Sequence, residues 1–325
     1  MTINRKEQDA ADVNQSQQTD SGTHVPIRVL LFVMLLAAFW GGNTVAIKIG
    51  LSGFPPFAAA AVRFSIALPL IGLWAAIRRV RLLPSRREIP ALALLGVVFT
   101  VQIALINVGT DLTLAGRATV FLNAYPVYVA GWSHLLVPDD RMTVRKAVGL
   151  VVAFGGVLAV FGYSFFENQG ATILGDALCI ASGILLSLLV VMINRIAQNT
   201  HPLRLLTGEM TVGVPSFFLL SLLFEQGIPW EASAPVVGAL SYQGVVVATF
   251  CFISWATILK YYPPSKVSVI FFTTPLWGVL LSFLILGEPV SASLIVGAAL
   301  VAAGIFLVNR TPGSRPAPGR DGPPA

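Results

Sequence analysis

Four ionisable side chains stand inside runs otherwise built from Leu, Val, Ala, Ile and Phe: Lys48, Arg63, Arg117 and Glu209. A charge in an apolar span is costly and marks a functional candidate by default. Arg63 follows Phe57 and the alanines of FAAAAVRF, about two turns into its run. Its guanidinium is a planar fork of donors that matches a carboxylate or a pair of free carbonyls. That predicts either a pore-lining role or a fixed interhelical bond, and the sequence leaves both open. Lys48 and Arg117 lie toward span ends, where snorkelling to the headgroups competes with a substrate role. Glu209, in LRLLTGEMTVGVP, is the one acid set well within a run. It reads as a proton-coupling site, a carboxyl that loads and releases protons, or as half of an interhelical salt bridge or a headgroup-level residue.

Around these charges, polar and aromatic residues recur near mid-run. Trp40, Asn43 and Thr44 fall in the first run and Asn107 in the third. Asn123 and Tyr125 precede Pro126 in the fourth; Trp255 lies in the eighth; Thr273, Thr274 and Trp277 flank Pro275 in the ninth. Proline removes a backbone donor and frees a carbonyl, so its neighbours are candidates to line a cavity. The competing reading is that the tryptophans pack in lipid and the amides and hydroxyls bond between helices. The histidines His24, His134 and His201 have no metal-ligand spacing. There is no G-x-x-x-x-G-K-[ST] loop, so ATP hydrolysis by this chain is not expected.

The elements that must hold these residues follow from composition. Of 325 residues, 55% are hydrophobic and 11% charged, against about 25% charged in a soluble domain. Mean hydropathy is +0.79. These values exclude a soluble enzyme, a disordered chain and a fibrous repeat, and leave a polytopic membrane protein. Cys179 and Cys251 both lie in apolar runs and form no disulfide framework.

With about 20 residues per crossing, ten runs are expected, near 29–48, 57–77, 89–109, 114–136, 146–163, 172–194, 203–224, 235–259, 264–286 and 291–309. They do not alternate as barrel strands would, so helices are predicted. The tail 1–28 is polar and without a cleavable signal pattern, and 310–325 is rich in Pro and Gly; both are expected to be disordered. With the N-terminus inside, 18 of the 21 Lys and Arg fall in cytoplasmic segments, and the opposite loops hold acids instead, including Asp111, Glu167, Glu225, Glu231 and Glu288. That bias predicts two cytoplasmic termini.

The chain also repeats itself. Pro126 matches Pro275, and Arg117 and Lys266 each lie nine residues earlier. Asp140, Gly149 and Gly156 match Glu288, Gly297 and Gly304 at equal mutual spacing. Five spans per half is odd, so the second half must enter the membrane from the other side, an inverted repeat of the kind secondary transporters use. WGGNTVAIKIG in the first run, FAAAAVRF opening the second, and the Pro, acid, Gly, Gly order closing each half resemble the drug/metabolite transporter superfamily, EamA type. The resemblance covers about residues 29–309. It implies a plasma-membrane transporter of small metabolites and names no substrate. The second half lacks a counterpart of Trp40-Gly41-Gly42, so unequal half-sites are expected.

The expectation is an all-α integral membrane protein of ten transmembrane helices in two inverted five-helix repeats, 29–163 and 172–309. It should sit in the cell (inner) membrane and export a small-molecule metabolite or drug-like solute by alternating access. Its other partner is the lipid bilayer; no cofactor, metal or nucleic acid is expected, and the Gly faces of the fifth and tenth runs leave a homodimer open. One rival is an integral-membrane enzyme acting on a lipid-type substrate, for which only Asp139-Asp140 offers paired carboxylates. Beside Arg141 in a short loop, that pair reads as a solvated turn. A non-transporting receptor or scaffold is the other rival, and it predicts no central polar cavity.

Overall fold

The structure, a computed structural model, describes residues 25–113, 115–138, 140–161, 172–277, 280 and 292–309. Asp139 and the side chains of Thr44 and Arg117 lie outside what is described. The described residues form helices α1 (Ile27–Leu51), α2 (Pro56–Ile77), α3 (Ile89–Leu112), α4 (Ala115–Asn123), α5 (Tyr125–Leu136), α6 (Val144–Phe161), α7 (Ile173–Ala197), α8 (Pro202–Phe224), α9 (Ala234–Tyr242), α10 (Phe252–Tyr261), α11 (Pro264–Ser268) and α12 (Ala292–Asn309). No strand occurs among them. Proline sits in the first turn of α2, α3, α5, α8, α9 and α11, where its missing N–H leaves no bond unmade.

Among the described residues six helical stretches are long and apolar enough to cross a membrane: α1, α2, α3, α7, α8 and the continuous 234–261. That last stretch joins α9 to α10 through a π-helical segment, Gln243–Cys251. The predicted fourth run is broken at Ala124, between α4 and α5, just ahead of Pro126. The predicted ninth run opens as α11, tightens into a 3₁₀ turn over Val269–Thr273, and becomes helical again at Thr274, just ahead of Pro275. Both prolines therefore stand in the first turn of a helical stretch that follows an irregular one, where a missing backbone donor is tolerated, whereas Pro69 and Pro215 lie inside α2 and α8.

Lipid supplies no hydrophobic drive between helices, so close backbone approach at small residues has to do the work. Helices α6 and α12 show it most fully. A Cβ on Gly149 would stand 2.9 Å from the carbonyl oxygen of Gly304, and one on Gly156 would stand 2.6 Å from that of Gly297. Since 149 faces 304 and 156 faces 297, the two helices run antiparallel. This glycine seam, which the sequence left open as an internal contact or a dimer face, is internal. Elsewhere α3 packs on α7 and α8, α2 packs on α8, and the 234–261 stretch packs on α1 and α2.

Carboxylates tie the bundle at its ends. Glu225, just after α8, caps α2: its two oxygens accept from the backbone N–H of Phe57 (2.7 Å) and Ala58 (3.0 Å), meeting donors a helix start leaves unpaired. At the arginine-rich end, Glu88 accepts from Arg204 at 2.6 Å and from Thr200 at 3.0 Å. The Ser85 backbone bond, with Arg204 and Thr200, holds the Glu88 carboxyl down at about 2, so the carboxylate stays ionised at physiological pH. At the same end Asp140 departs from the expected solvated turn. It is 1% exposed, meets Lys146 Nζ at 2.6 Å, and accepts from the Ser265 backbone N–H at 3.0 Å and from the Ser265 hydroxyl. Asp140 is buried because Ser265 of α11, from the other half of the chain, lies on it. His134 is exposed there, its Nδ1 accepting from the Met142 backbone N–H.

The glycine seam makes a testable point. Gly156→Ala places a methyl against the Gly297 carbonyl and should lower stability by roughly 1–3 kcal/mol. Gly155, one position away, has nothing within 4 Å of an added Cβ, so Gly155→Ala should leave the thermal midpoint in detergent unchanged or slightly raised. Equal midpoints for the two variants would remove the seam from the account.

Candidate functional site

Helix α2 carries Arg63 into the middle of the bundle, where the residue is 5% exposed. Its Nη1 donates to the side-chain carbonyl of Gln243 at 2.9 Å, and its guanidinium carbon lies 4.7 Å from the centroid of Phe64. The Gln243 amide is fixed in turn, its Nε2 donating to the Ala46 carbonyl at 2.9 Å. This meeting of α1, α2 and the π-helical segment depends on Gly244. A Cβ there would lie 2.8 Å from Ile66 Cβ and 2.9 Å from the Arg63 carbonyl oxygen. The absent side chain lets α2 come close enough for the amide to reach the guanidinium. Of the two readings of Arg63, the interhelical bond is present through Nη1, while buried Nε has no partner.

Arg63 borders a central cavity of about 170 Å³. Glu209 of α8 borders the same cavity and is 2% exposed. Among the described residues no ion pair joins it to Arg63 or to any other cation, and no hydrogen bond reaches its carboxylate. The salt-bridge reading of Glu209 is therefore not what the structure holds. A buried arginine and a buried carboxyl residue border one space without forming an ion pair.

Trp40 and Asn43 from α1, Asn123 and Tyr125 from either side of the α4–α5 break, Trp255 from α10 and Thr274 beside Pro275 line this cavity as well. The Asn43 Oδ1 and Thr274 Oγ1 atoms are buried with no hydrogen-bond partner, as is Arg63 Nε. Orphaned polar atoms around a cavity are groups a polar solute can satisfy. The aromatic wall is tightly interlocked. Phe271 stands edge-on to Trp255 at 4.8 Å and to Trp40 at 5.1 Å, and Trp40 stacks on Phe252 at 6.0 Å.

Four expected residues lie elsewhere. Lys48 is exposed at the end of α1, where snorkelling accounts for it. Asn107 is buried but spends its Nδ2 on the Pro56 carbonyl at 2.9 Å, tying α3 to the start of α2. The Thr273 hydroxyl donates to the Ile270 carbonyl at 2.7 Å, and the residue borders a separate apolar groove between α1 and α12. Trp277 packs half-buried against the core and does not line the cavity. The 3₁₀ turn explains the split between Thr273 and Thr274, since it turns one inward and its neighbour aside.

Sequence reading missed Gln243 and Gln102, both on the cavity wall. Gln102 Nε2 donates to the Ser182 hydroxyl at 2.9 Å, and that hydroxyl donates to the Gln102 carbonyl at 3.1 Å, which pins α3 to α7. Both glutamines are amides in mid-run, the same signal that singled out Asn43. The phenylalanines Phe64, Phe99, Phe252 and Phe271 also escaped notice, because Phe in an apolar run carries no signal of its own.

The chain belongs to the EamA-like transporter family, which matches it twice, over residues 27–162 and 173–310. It is a multi-pass membrane protein. It is 22% identical over 282 residues to an uncharacterized transporter of Bacillus subtilis, covering 86% of this chain and 96% of that one. It is 24% identical over 293 residues to a probable amino-acid metabolite efflux pump of Escherichia coli, covering 85% of this chain and 93% of that one. A solved crystal structure superposes with a TM-score of 0.73 at 16% identity, over 86% of this chain and 97% of that one, a likeness of fold alone.

The Arg63–Gln243 contact can be probed directly. Gln243→Leu keeps the volume but leaves a buried cationic donor without its acceptor, a loss of about 1–3 kcal/mol. The variant should melt at lower temperature in detergent, and Arg63→Leu added to it should recover part of that loss. No recovery in the double variant would mean that the amide does not serve the guanidinium.

Proposed function

We propose that this protein is a secondary transporter that exports a small metabolite across the plasma membrane by alternating access. The observation that carries the reading is the central cavity, bordered by Arg63, Glu209 and residues with buried, unpartnered polar atoms, inside a chain of a transporter family. A receptor or scaffold has no need of two buried ionisable side chains on one cavity. Export rather than import draws on the similar efflux pump of Escherichia coli.

The working architecture is ten membrane crossings in two inverted five-helix halves. Its support is the glycine seam: Gly149 matches Gly297 in the repeat and Gly156 matches Gly304, so the contact of 149 with 304 and that of 156 with 297 exchange under a two-fold rotation. The two proline breaks, at Pro126 and Pro275, exchange likewise. Both termini lie in the cytoplasm on this reading, by the distribution of Lys and Arg. Reporter fusions at Arg320 should read cytoplasmic and those in the 164–171 loop external; an external C-terminus would remove the ten-crossing arrangement.

Glu209 is the proton-coupling candidate, as the carboxylate without a cation on the cavity wall. The test begins with untargeted metabolite profiling of strains that overexpress or lack the protein, to name an exported solute. In proteoliposomes, Glu209→Gln should keep exchange of that solute at saturating concentration and lose its acceleration by an imposed pH gradient. Unchanged metabolite levels in both strains count against transport. A variant that answers the gradient as wild type does places the coupling elsewhere.

A further inference from the structure

The groove between α1 and α12 has a volume of about 670 Å³, within the ~300–1,000 Å³ range of ligand pockets. It has three walls. Ile27, Leu31 and Met34 recur on one face of α1, and Ala298, Ala302, Ile305 and Asn309 recur on one face of α12. Ile270 and Thr273 of the 3₁₀ turn form the floor, and both helices pack on that turn. Exposed Ile27, Leu31 and Phe306 leave the groove open to lipid. From Ala298 to Asn309 it runs roughly 16 Å along α12, about half of the ~30 Å hydrocarbon core. That is the depth of one leaflet. A flat helix face in lipid meets chains that exchange freely; a trough with three walls and this depth holds one chain along its length.

The chemistry changes at one end. Asn309 borders the groove there, at the end where α1 begins. Its Nδ2 donates to the Ile305 carbonyl at 3.2 Å, while its Oδ1 is buried without a donor. Arg28 is exposed at the same end, one residue on from Ile27 and about 100° round α1. Arg310 follows Asn309 in the sequence. The floor asks for nothing polar, because the Thr273 hydroxyl is spent on the Ile270 carbonyl. An apolar trough that ends in a cation and an unmet acceptor has the polarity of a phospholipid: chain, then phosphate, then headgroup donor.

We propose that this groove binds one anionic phospholipid, phosphatidylglycerol: an acyl chain lies along α12 over Ile270 and Thr273, Arg28 meets the phosphate, and a glycerol hydroxyl donates to Asn309 Oδ1. Phosphatidylcholine offers the same chain and phosphate but neither net charge nor a headgroup hydroxyl. Basic residues beside helix ends at the cytoplasmic surface attract anionic lipid, and on the orientation proposed above this end lies at that surface. The site depends on the membrane character of the chain and not on the transport reading. It touches the central cavity through one wall. Phe271 and Thr274 line the cavity while Ile270 and Thr273 line the groove, so a chain in the groove backs the turn that holds Phe271 against Trp40 and Trp255.

The test uses the full-length protein in detergent, with dioleoyl phosphatidylglycerol and dioleoyl phosphatidylcholine as probes. Native mass spectrometry reads the affinity of the first lipid bound, and a thermal melt establishes that each variant is folded. In wild type the first phosphatidylglycerol should bind about fivefold or more tighter than the first phosphatidylcholine, the preference that one surface arginine confers. Ala302→Trp fills the trough from its open side and should abolish that preference. Ala299→Trp, exposed on the same helix but off the groove, should keep it. Asn309→Leu removes the acceptor and should weaken phosphatidylglycerol while leaving phosphatidylcholine as it was. Arg28→Gln should narrow the gap between the two lipids. Equal binding of both lipids to wild type means an annular lipid only and overturns the site, a comparison that needs no variant. The site is also overturned if Ala302→Trp binds as Ala299→Trp does, or if either folded variant, Arg28→Gln or Asn309→Leu, leaves the gap at its wild-type size. A dimer that Ala302→Trp dissolves would give the groove to a second copy instead. No transport is measured, so these failures leave the export reading standing, and unchanged metabolite levels in the profiled strains leave the lipid site standing.

Discussion

An arginine kept out of water by an amide rather than by an acid is the contact around which the centre of this protein is organised. Membrane interior offers neither water nor lipid groups to meet five N–H donors, so protein has to meet them. Gln243 meets one, and it can do so only because Gly244 brings the backbone of α2 against the π-helical segment. The same amide reaches back to the Ala46 carbonyl on α1. Three helices are thus referenced to one side chain. What that side chain leaves unmet is the buried Nε, in a residue that borders the cavity.

The frame around that centre is held by different means. Along the helices, contact comes from glycine: α6 and α12 approach until backbone faces backbone, where dispersion acts over the shortest distances. At the helix ends, contact comes from carboxylates that accept backbone N–H groups across the chain. Glu225 receives Phe57 and Ala58 at the start of α2, and Asp140 receives Ser265 at the start of α11. In each case an acid after one helix closes the open donors of a helix far away in sequence, which is a charge-assisted bond at a site already favourable to anions. Glycine packing and carboxylate capping, both between segments distant in sequence, therefore divide the task between the interior and the ends of the bundle.

Irregular backbone is concentrated where the cavity lies. The break before Pro126, the 3₁₀ turn before Pro275 and the π-helical segment after Tyr242 all border it. Non-helical backbone at this depth is tolerated only when buried in protein or lining a cavity. Here it has a geometric effect as well. A regular helix would keep Thr273 and Thr274 in fixed register with their neighbours; the tightened turn sends Thr274 inward and leaves Thr273 bonded to Ile270. The wider π turn brings Gln243, Val247, Phe252 and Trp255 to one face.

Some of this was determined by sequence alone. Thirty-six charges in 325 residues force a membrane protein and long apolar runs in lipid force helices, because each follows from a local cost that no tertiary contact can lift; which prolines break a run does not, since Pro69 and Pro215 stay inside helices. The charged candidates Arg63 and Glu209 were legible for the same reason: a charge in an apolar run is improbable without a task. Tertiary structure alone decided which polar residues share a space. Asn43 and Asn107 look alike in sequence, yet one leaves its oxygen on the cavity wall and the other donates to Pro56. Asp140 reads as a loop acid until α11 buries it. Gln243 matters only through Arg63, a residue 180 positions away. Helical periodicity fixes what shares a face of one helix; which faces meet depends on glycine contacts and capping bonds between segments remote in the chain, and those are properties of the packed bundle.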